Sequence, residues 1–265
     1  MNLAYPVEAP DNQAELMSFR GDFYENVKKI ARAGYDGIEL LVRDLDSIDT
    51  EAVKRCAVEN HVKIAAISTA PMDKQDGLHL LGGKAKRELC VKRLQSAIRF
   101  AAGTGACVLL GKVRGNTGAE SGTYEDLVER IRELADYARK YMVCLAVEPQ
   151  HVSNINNINC VEEALSFLRQ VGRENVLLHL DLYHMALSET DVLSAIERAK
   201  GKIGFVHVAD TERKVPGEGD FALRAWIPRI AQIHPEVYFS PEIKQVPDSE
   251  TVCVKNRLFF EKWNK

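Results

Sequence analysis

The chain has 265 residues, 46% hydrophobic and 28% charged, enough apolar material for a full globular core and a profile that argues against disorder. Its formal charge of -3 and pI of about 6.2, with acids and bases interleaved, argue against a nucleic-acid partner, which calls for a basic face. No apolar run approaches the roughly 18 residues that span a bilayer, and the N-terminus lacks a charged-then-apolar leader pattern, so a cytoplasmic protein with no membrane contact is expected.

Taken in chain order, eight short apolar runs predict strands at 2–7, 37–42, 62–68, 107–111, 143–148, 176–181, 203–209 and 237–243. Between them, amphipathic stretches predict helices at about 22–33, 50–60, 84–102, 123–141, 160–171, 190–199, 221–233 and 249–262. The fourth helix is the clearest: Leu127, Ile131, Leu134 and Ala138 recur at helical spacing behind a Thr123 cap with Asp126 three residues on. The eighth puts Val252, Leu258 and Phe259 toward one side. Gly34, Gly103 and Gly172 mark helix ends. Strict alternation of strand and helix predicts a parallel sheet, and eight pairs predict its closure into one (β/α)8 TIM barrel domain over 1–265. An open doubly wound sheet is the alternative, but no Gly-x-Gly-x-x-Gly follows the first strand. Two long connections, 8–21 and 69–83, would lie at the C-terminal mouth. The six cysteines, none in Cys-x-x-Cys spacing, read as free thiols in a reducing compartment.

In such a barrel the C-terminal strand ends converge on one cavity. Glu148, Asp181, His207 and Glu242 fall at or near the ends of strands five to eight. Singly, each could be a helix cap, a solvated acid or a hydrogen-bonded core histidine. Jointly, three carboxylates and an imidazole form a ligand set for a divalent cation, suiting Mn²⁺, Co²⁺ or Mg²⁺ better than structural zinc. His184, three residues past Asp181 on the loop leaving that strand, and Arg213, in the glycine-bearing loop after His207, are placed to meet substrate oxygens. His179 shares strand parity with Asp181 and would point inward one layer deeper, in a supporting or structural role. Glu39 would face the barrel interior and need a partner. Lys112, Arg114 and Lys244 are candidate pocket residues, with the solvated surface the favoured reading.

Four motifs in order, VEP at Glu148, HLDLYHM at Asp181 and His184, HVAD followed by R-x-x-PGEGD from His207, and PEI at Glu242, resemble the xylose-isomerase-like barrel superfamily. Within it, they are similar to the sugar isomerase and epimerase group that includes ketose 3-epimerases and hydroxypyruvate isomerase. The separations of 33, 26 and 35 residues between the four ligand positions agree, as does GYDGIEL at the second strand.

The resemblance implies that Glu148, Asp181, His207 and Glu242 bind one divalent ion, Mn²⁺ foremost, and that His184 and Arg213 hold a small carbohydrate. It also implies that Glu148 and Glu242 carry the proton transfers. An ion chelated by a carbonyl oxygen and the neighbouring hydroxyl would stabilise an enediolate, and two carboxylates on opposite faces of one carbon would invert it. Transfer between adjacent carbons would instead interconvert aldose and ketose. After VEP the chain reads Gln150, His151, Val152, Ser153, where many ketose 3-epimerases carry Asn and then a Glu or similar polar residue; that departure leaves the sugar open. Two other activities use the same scaffold. One is a lyase of the inosose dehydratase type; the other, an endonuclease-IV-like abasic-site nuclease, needs more histidines than the seven here. Assembly as a homodimer or homotetramer is compatible with the resemblance.

Overall fold

A computed structural model describes residues 1–263. Its eight strands are β1 (Asn2–Glu8), β2 (Gly37–Leu41), β3 (Lys63–Ser68), β4 (Cys107–Leu110), β5 (Leu145–Val147), β6 (Val176–Asp181), β7 (Ile203–Val208) and β8 (Tyr238–Pro241). They pair in parallel in sequence order, and β8 closes on β1 through Tyr238 opposite Asn2 and Phe239 opposite Leu3. The expected (β/α)8 closure is therefore realised, with a helix after every strand.

Strand alternation separates two cores. Leu3, Tyr5, Val7, Ile38, Leu40, Val108, Leu110, Leu145, Val147, Leu178, Leu180, Val206 and Val208 face outward into the layer shared with the helices. The intervening positions form a small inner cluster, Ala4, Ala65, Ala66, Cys107, Leu109, Ala146 and Phe205. On that inner face, positions nearer the C-terminal strand ends turn polar: Glu39, Ser68, His179, Asp181, His207 and Ser240 are all buried. Two register shifts interrupt the ladders, between Ile38 and Glu39 and between Leu178 and His179, leaving Ala65 and Gly204 as the extra residues. Bulges of this kind re-aim side chains, and each falls at a polar inward position.

The helices begin and end where the caps are. Thr123 and Asp126 form the expected capping box on Tyr124–Arg139, and Gly172 closes Val161–Val171 in the left-handed region, φ 63°. In Ser249–Phe260 the buried stripe is Val252, Cys253, Asn256, Phe259 and Phe260. Leu258 lies off that stripe and is 53% exposed, contrary to the sequence expectation, because a 100° step per residue carries it past the core-facing side.

Two short helices were not expected. Ala70–Asp76 occupies half of the connection after β3, with a proline in its first turn and Gly77 ending it at φ 58°. Leu182–Ser188 follows β6 directly, so His184 stands on a helix rather than on a loop. Among the described residues no helix is long and apolar enough to cross a membrane, and the six cysteines are free thiols.

Candidate active site

Asp181 ends β6 and caps the helix after it: its Oδ1 accepts the backbone N–H of Tyr183 at 2.8 Å and of His184 at 3.4 Å. That leaves Oδ2 for the barrel interior, where it accepts from Arg213 Nη1 at 2.8 Å. The same Nη1 lies 2.7 Å from Glu242 Oε2, and the guanidinium stacks 4.2 Å from the centre of the Tyr183 ring. Arg213 reaches this position from a strained backbone. Both it and Glu212 have positive φ, 59° and 58°, a conformation that costs a non-glycine residue of order 1 kcal/mol or more. Buried Asp210 holds the turn by accepting the N–H groups of Thr211, Gly217 and Phe221. His184 Nε2 lies 3.2 Å from Arg213 Nη2 and 3.8 Å from Asp181 Oδ2.

Glu148 follows β5 and is buried. Its Oε2 accepts from Gln150 Nε2, and Gln150 is braced in turn by Asn154. Space for the carboxylate exists because residue 111 is glycine: a Cβ there would stand 2.7 Å from Glu148 Oε2 and 3.0 Å from Gln150 Nε2. His207, on β7, places Nε2 2.9 Å from Glu39 Oε2 and Nδ1 3.7 Å from Glu242 Oε2. His179 packs edge-on to His207 with ring centres 4.1 Å apart, and its Nδ1 is 3.9 Å from Glu148 Oε2.

Glu148, Asp181, His207 and Glu242 each offer a ligand atom, and these atoms all lie within 4.8 Å of one another. Glu148, His179 and His207 form a second group meeting the same limit. The residues fit a divalent cation on three counts. Nδ1 of His207 and both ring nitrogens of His179 are buried without a hydrogen-bond partner in the structure, the carboxylates crowd one another, and carboxylate plus imidazole is a donor set that divalent ions accept.

Electrostatics record the crowding. Burial, reinforced by the charges of Asp181 and Glu242, pushes Glu148 up to about 8. Burial also raises Glu242, against the pull of Arg213 and His207. It would raise Asp181 too, but Arg213, His184 and His207 together outweigh it and hold that carboxyl well below the usual range. Burial disfavours charge on His207, yet the Glu39 carboxylate beside it, with Glu242 and Asp181, lifts it to about 10. For His184 burial wins and lowers it to about 4, and buried His179 is held well below its ordinary value.

Above the cluster opens a cavity of about 410 Å³, a size suited to a small molecule. Leu16 and Met17 wall it from the connection after β1, and Thr69 and Lys74 from the connection after β3, so both long connections reach the mouth.

All six candidate residues thus meet at one place. Sequence parity put Glu39 and His179 inside the barrel, where they lie. Arg114, expected at the surface, is wholly buried. It donates from Nε to Asn157 Oδ1 at 2.9 Å and from Nη1 to the Gly111 carbonyl at 3.0 Å, clamping the end of β4 to the loop after β5. A charged residue one turn beyond an apolar strand carries no sign of such a clamp, because Asn157, on the far side of it, lies 43 residues away. Lys112 and Lys244 are exposed, and Lys112 also lines the cavity. Gly111, Gln150 and Tyr183 were not singled out for these roles; the glycine directly after a strand was the one available signal.

An L-ribulose 3-epimerase of Methylomonas sp. (strain DH-1) is 28% identical over 244 residues, covering 87% of this chain and 83% of that protein. The hydroxypyruvate isomerase of Escherichia coli (strain K12) is 26% identical over 208 residues, 75% of this chain and 79% of that one. The crystal structure of a 3-keto-D-glucoside 4-epimerase from E. coli shares the fold with a TM-score of 0.81 at 19% identity, over 99% of each chain. The family described as the xylose isomerase-like TIM barrel matches residues 27–263, nearly all of the closed barrel and every residue of the cluster, and the chain belongs to that family.

Proposed function

We infer that the protein is a divalent-metal-dependent sugar isomerase or epimerase acting on a small unphosphorylated ketose or a related carbohydrate. The observation that carries this reading is the convergence of four ligand atoms within 4.8 Å, from the ends of four neighbouring strands, beneath a cavity of about 410 Å³. The epimerase and isomerase names of the curated relatives support it.

Glu148, Asp181, His207 and Glu242 would hold the ion, with Mn²⁺ the first choice and Co²⁺ or Mg²⁺ compatible with the same donors. When bound, the ion supplies a Lewis acid for a carbonyl and the neighbouring hydroxyl, easing loss of the carbon-bound proton. Glu148 and Glu242 come from β5 and β8 with β6 and β7 between them, so each can address one face of a sugar carbon. One takes the proton and the other returns one, which inverts the centre. Arg213 donates to a substrate oxygen, His184 hydrogen-bonds a substrate oxygen beside it, and Tyr183 holds the guanidinium flat for that contact. The free thiols fit a reducing cytoplasm.

The test is metal content by elemental analysis, followed by incubation of the Mn²⁺-loaded protein with ketopentoses and ketohexoses in heavy water. Deuterium at the carbon next to the carbonyl, with the inverted or isomerised sugar as product, is expected. An ion-loaded protein that exchanges no proton in any ketose, or that releases water to form an enone, would overturn the assignment.

A further inference from the structure

Glu39 is a carboxylate only 2% exposed inside the barrel. It lies on β2, three strands around from β7, and its Oε2 meets two groups, His207 Nε2 at 2.9 Å and Ser240 Oγ at 2.7 Å. Burying an acid is costly, and apolar packing of similar volume commonly serves stability as well or better. What the acid does here is directional. A carboxylate oxygen accepts, so the imidazole nitrogen facing Glu39 carries the hydrogen. A neutral imidazole then has its lone pair on Nδ1, the atom that lies 3.7 Å from Glu242 Oε2 and has no hydrogen-bond partner in the structure. Ser240 stands two residues before Glu242 on the chain, so the second bond ties the same carboxylate to the segment delivering another ligand. The register shift of β2 against β3 falls at Glu39 itself.

We propose that Glu39 is the positioning residue of the metal centre: it fixes His207 with Nε2–H turned away from the ion and Nδ1 presented to it, and through Ser240 it steadies the approach of Glu242. This rests on the reading of His207 as a ligand.

The experiment measures Mn²⁺ affinity by calorimetry on the chelated full-length protein and on its Glu39→Ala, Glu39→Gln, Ser240→Ala and His207→Ala variants, with Tm recorded for each. Nitrogen-15 histidine spectra of the Zn²⁺-loaded protein report which ring nitrogen carries the proton. Glu39→Ala should weaken binding by about 10- to 100-fold. Glu39→Gln should weaken it less, because an amide oxygen still accepts, and Ser240→Ala less again. His207 should show a protonated Nε2 and a metal-bound Nδ1. Should Glu39→Ala fail to fold, the other two variants carry the comparison. Affinities within about threefold of the parent in folded Glu39 variants, or a His207 bound through Nε2, overturn the proposal. If those variants bind normally while His207→Ala binds weakly, the Glu39 assignment alone falls; if His207→Ala binds normally, the ligand reading falls with it.

Discussion

The arc β5–β8 and the arc β1–β4 have the same parallel geometry but different inner faces. The first carries Glu148, His179, Asp181, His207, Ser240 and Glu242, whereas the second carries Ala4, Ala66, Ser68, Cys107 and Leu109, with Glu39 its buried charge. One arc carries the candidate ligand and acid/base groups; the other supplies room and support. Gly111 after β4 leaves the space that Glu148 fills, Arg114 clamps the loop behind it, and Glu39 reaches across to His207. Identical scaffolding thus permits chemistry at the mouth without dictating where around the ring it sits.

The sharpest way to break the comparison is Glu242→Gln on the reactive arc. Proton exchange should fall by about 10²- to 10⁴-fold while ligand binding, followed by calorimetry, persists. Unchanged exchange would remove Glu242 from the proton-transfer role. Arg114→Met, on the supporting arc, strands Asn157 and two sets of carbonyls, and should cost about 3 kcal/mol, seen as a Tm roughly 5–10 °C lower. A surface arginine would show almost nothing.

Gly111→Ala tests whether the quiet arc shapes the site. Its Cβ would displace Glu148 and Gln150, so kcat should drop by about 10- to 100-fold with folding retained. Gly83→Ala, where an added Cβ meets nothing within 4 Å, is the matched control and should leave kcat alone.

The pH response is smaller and has a defined sign. Glu148, near 8, and His207, near 10, both bind protons more tightly in the folded ion-free protein than in the unfolded chain. Between pH 7 and 10 the native state therefore holds the excess protons, and stability falls as pH rises, by at most about 1.4 kcal/mol per pH unit for each group releasing its proton. His184, lowered to about 4, is neutral in the folded state and mostly neutral in the unfolded chain across that window, so it adds little. A chelated sample should lose Tm steadily from pH 7 to 10, while its affinity for Mn²⁺ rises as the ligands lose protons. A flat Tm profile would contradict the burial that raises Glu148 and the Glu39 contact that raises His207. Far from either arc's inner face, Thr123→Ala removes a capping box and should cost about 1 kcal/mol with kcat unchanged.

Strand number, the positions of the eight longer helices and the inward facing of Glu39, His179 and Asp181 could be read from the chain, because each is a periodic or local signal. The same is true of the Thr123 capping box, whose partners are three residues apart. Placing the four candidate ligands together needed one further inference, closure of the barrel, and the resemblance of the motifs pointed the same way. Short-range reasoning failed where a role depends on a distant partner or on exact angle around a helix. Leu258 misses its face by rotation, Arg114 is buried by residues about 43 positions away, and the strain at Arg213 appears only when its guanidinium must reach Asp181 and Glu242.

The sequence by itself determined that this is a parallel barrel with three carboxylates and an imidazole at four consecutive strand ends, since period, punctuation and residue type are carried by neighbours in the chain. Only the tertiary structure decided that Glu39 faces His207, that Gly111 makes way for Glu148, and that Arg213 bridges two acids. Each is a contact between strands or loops far apart in sequence, and such contacts come into being only when the ring closes.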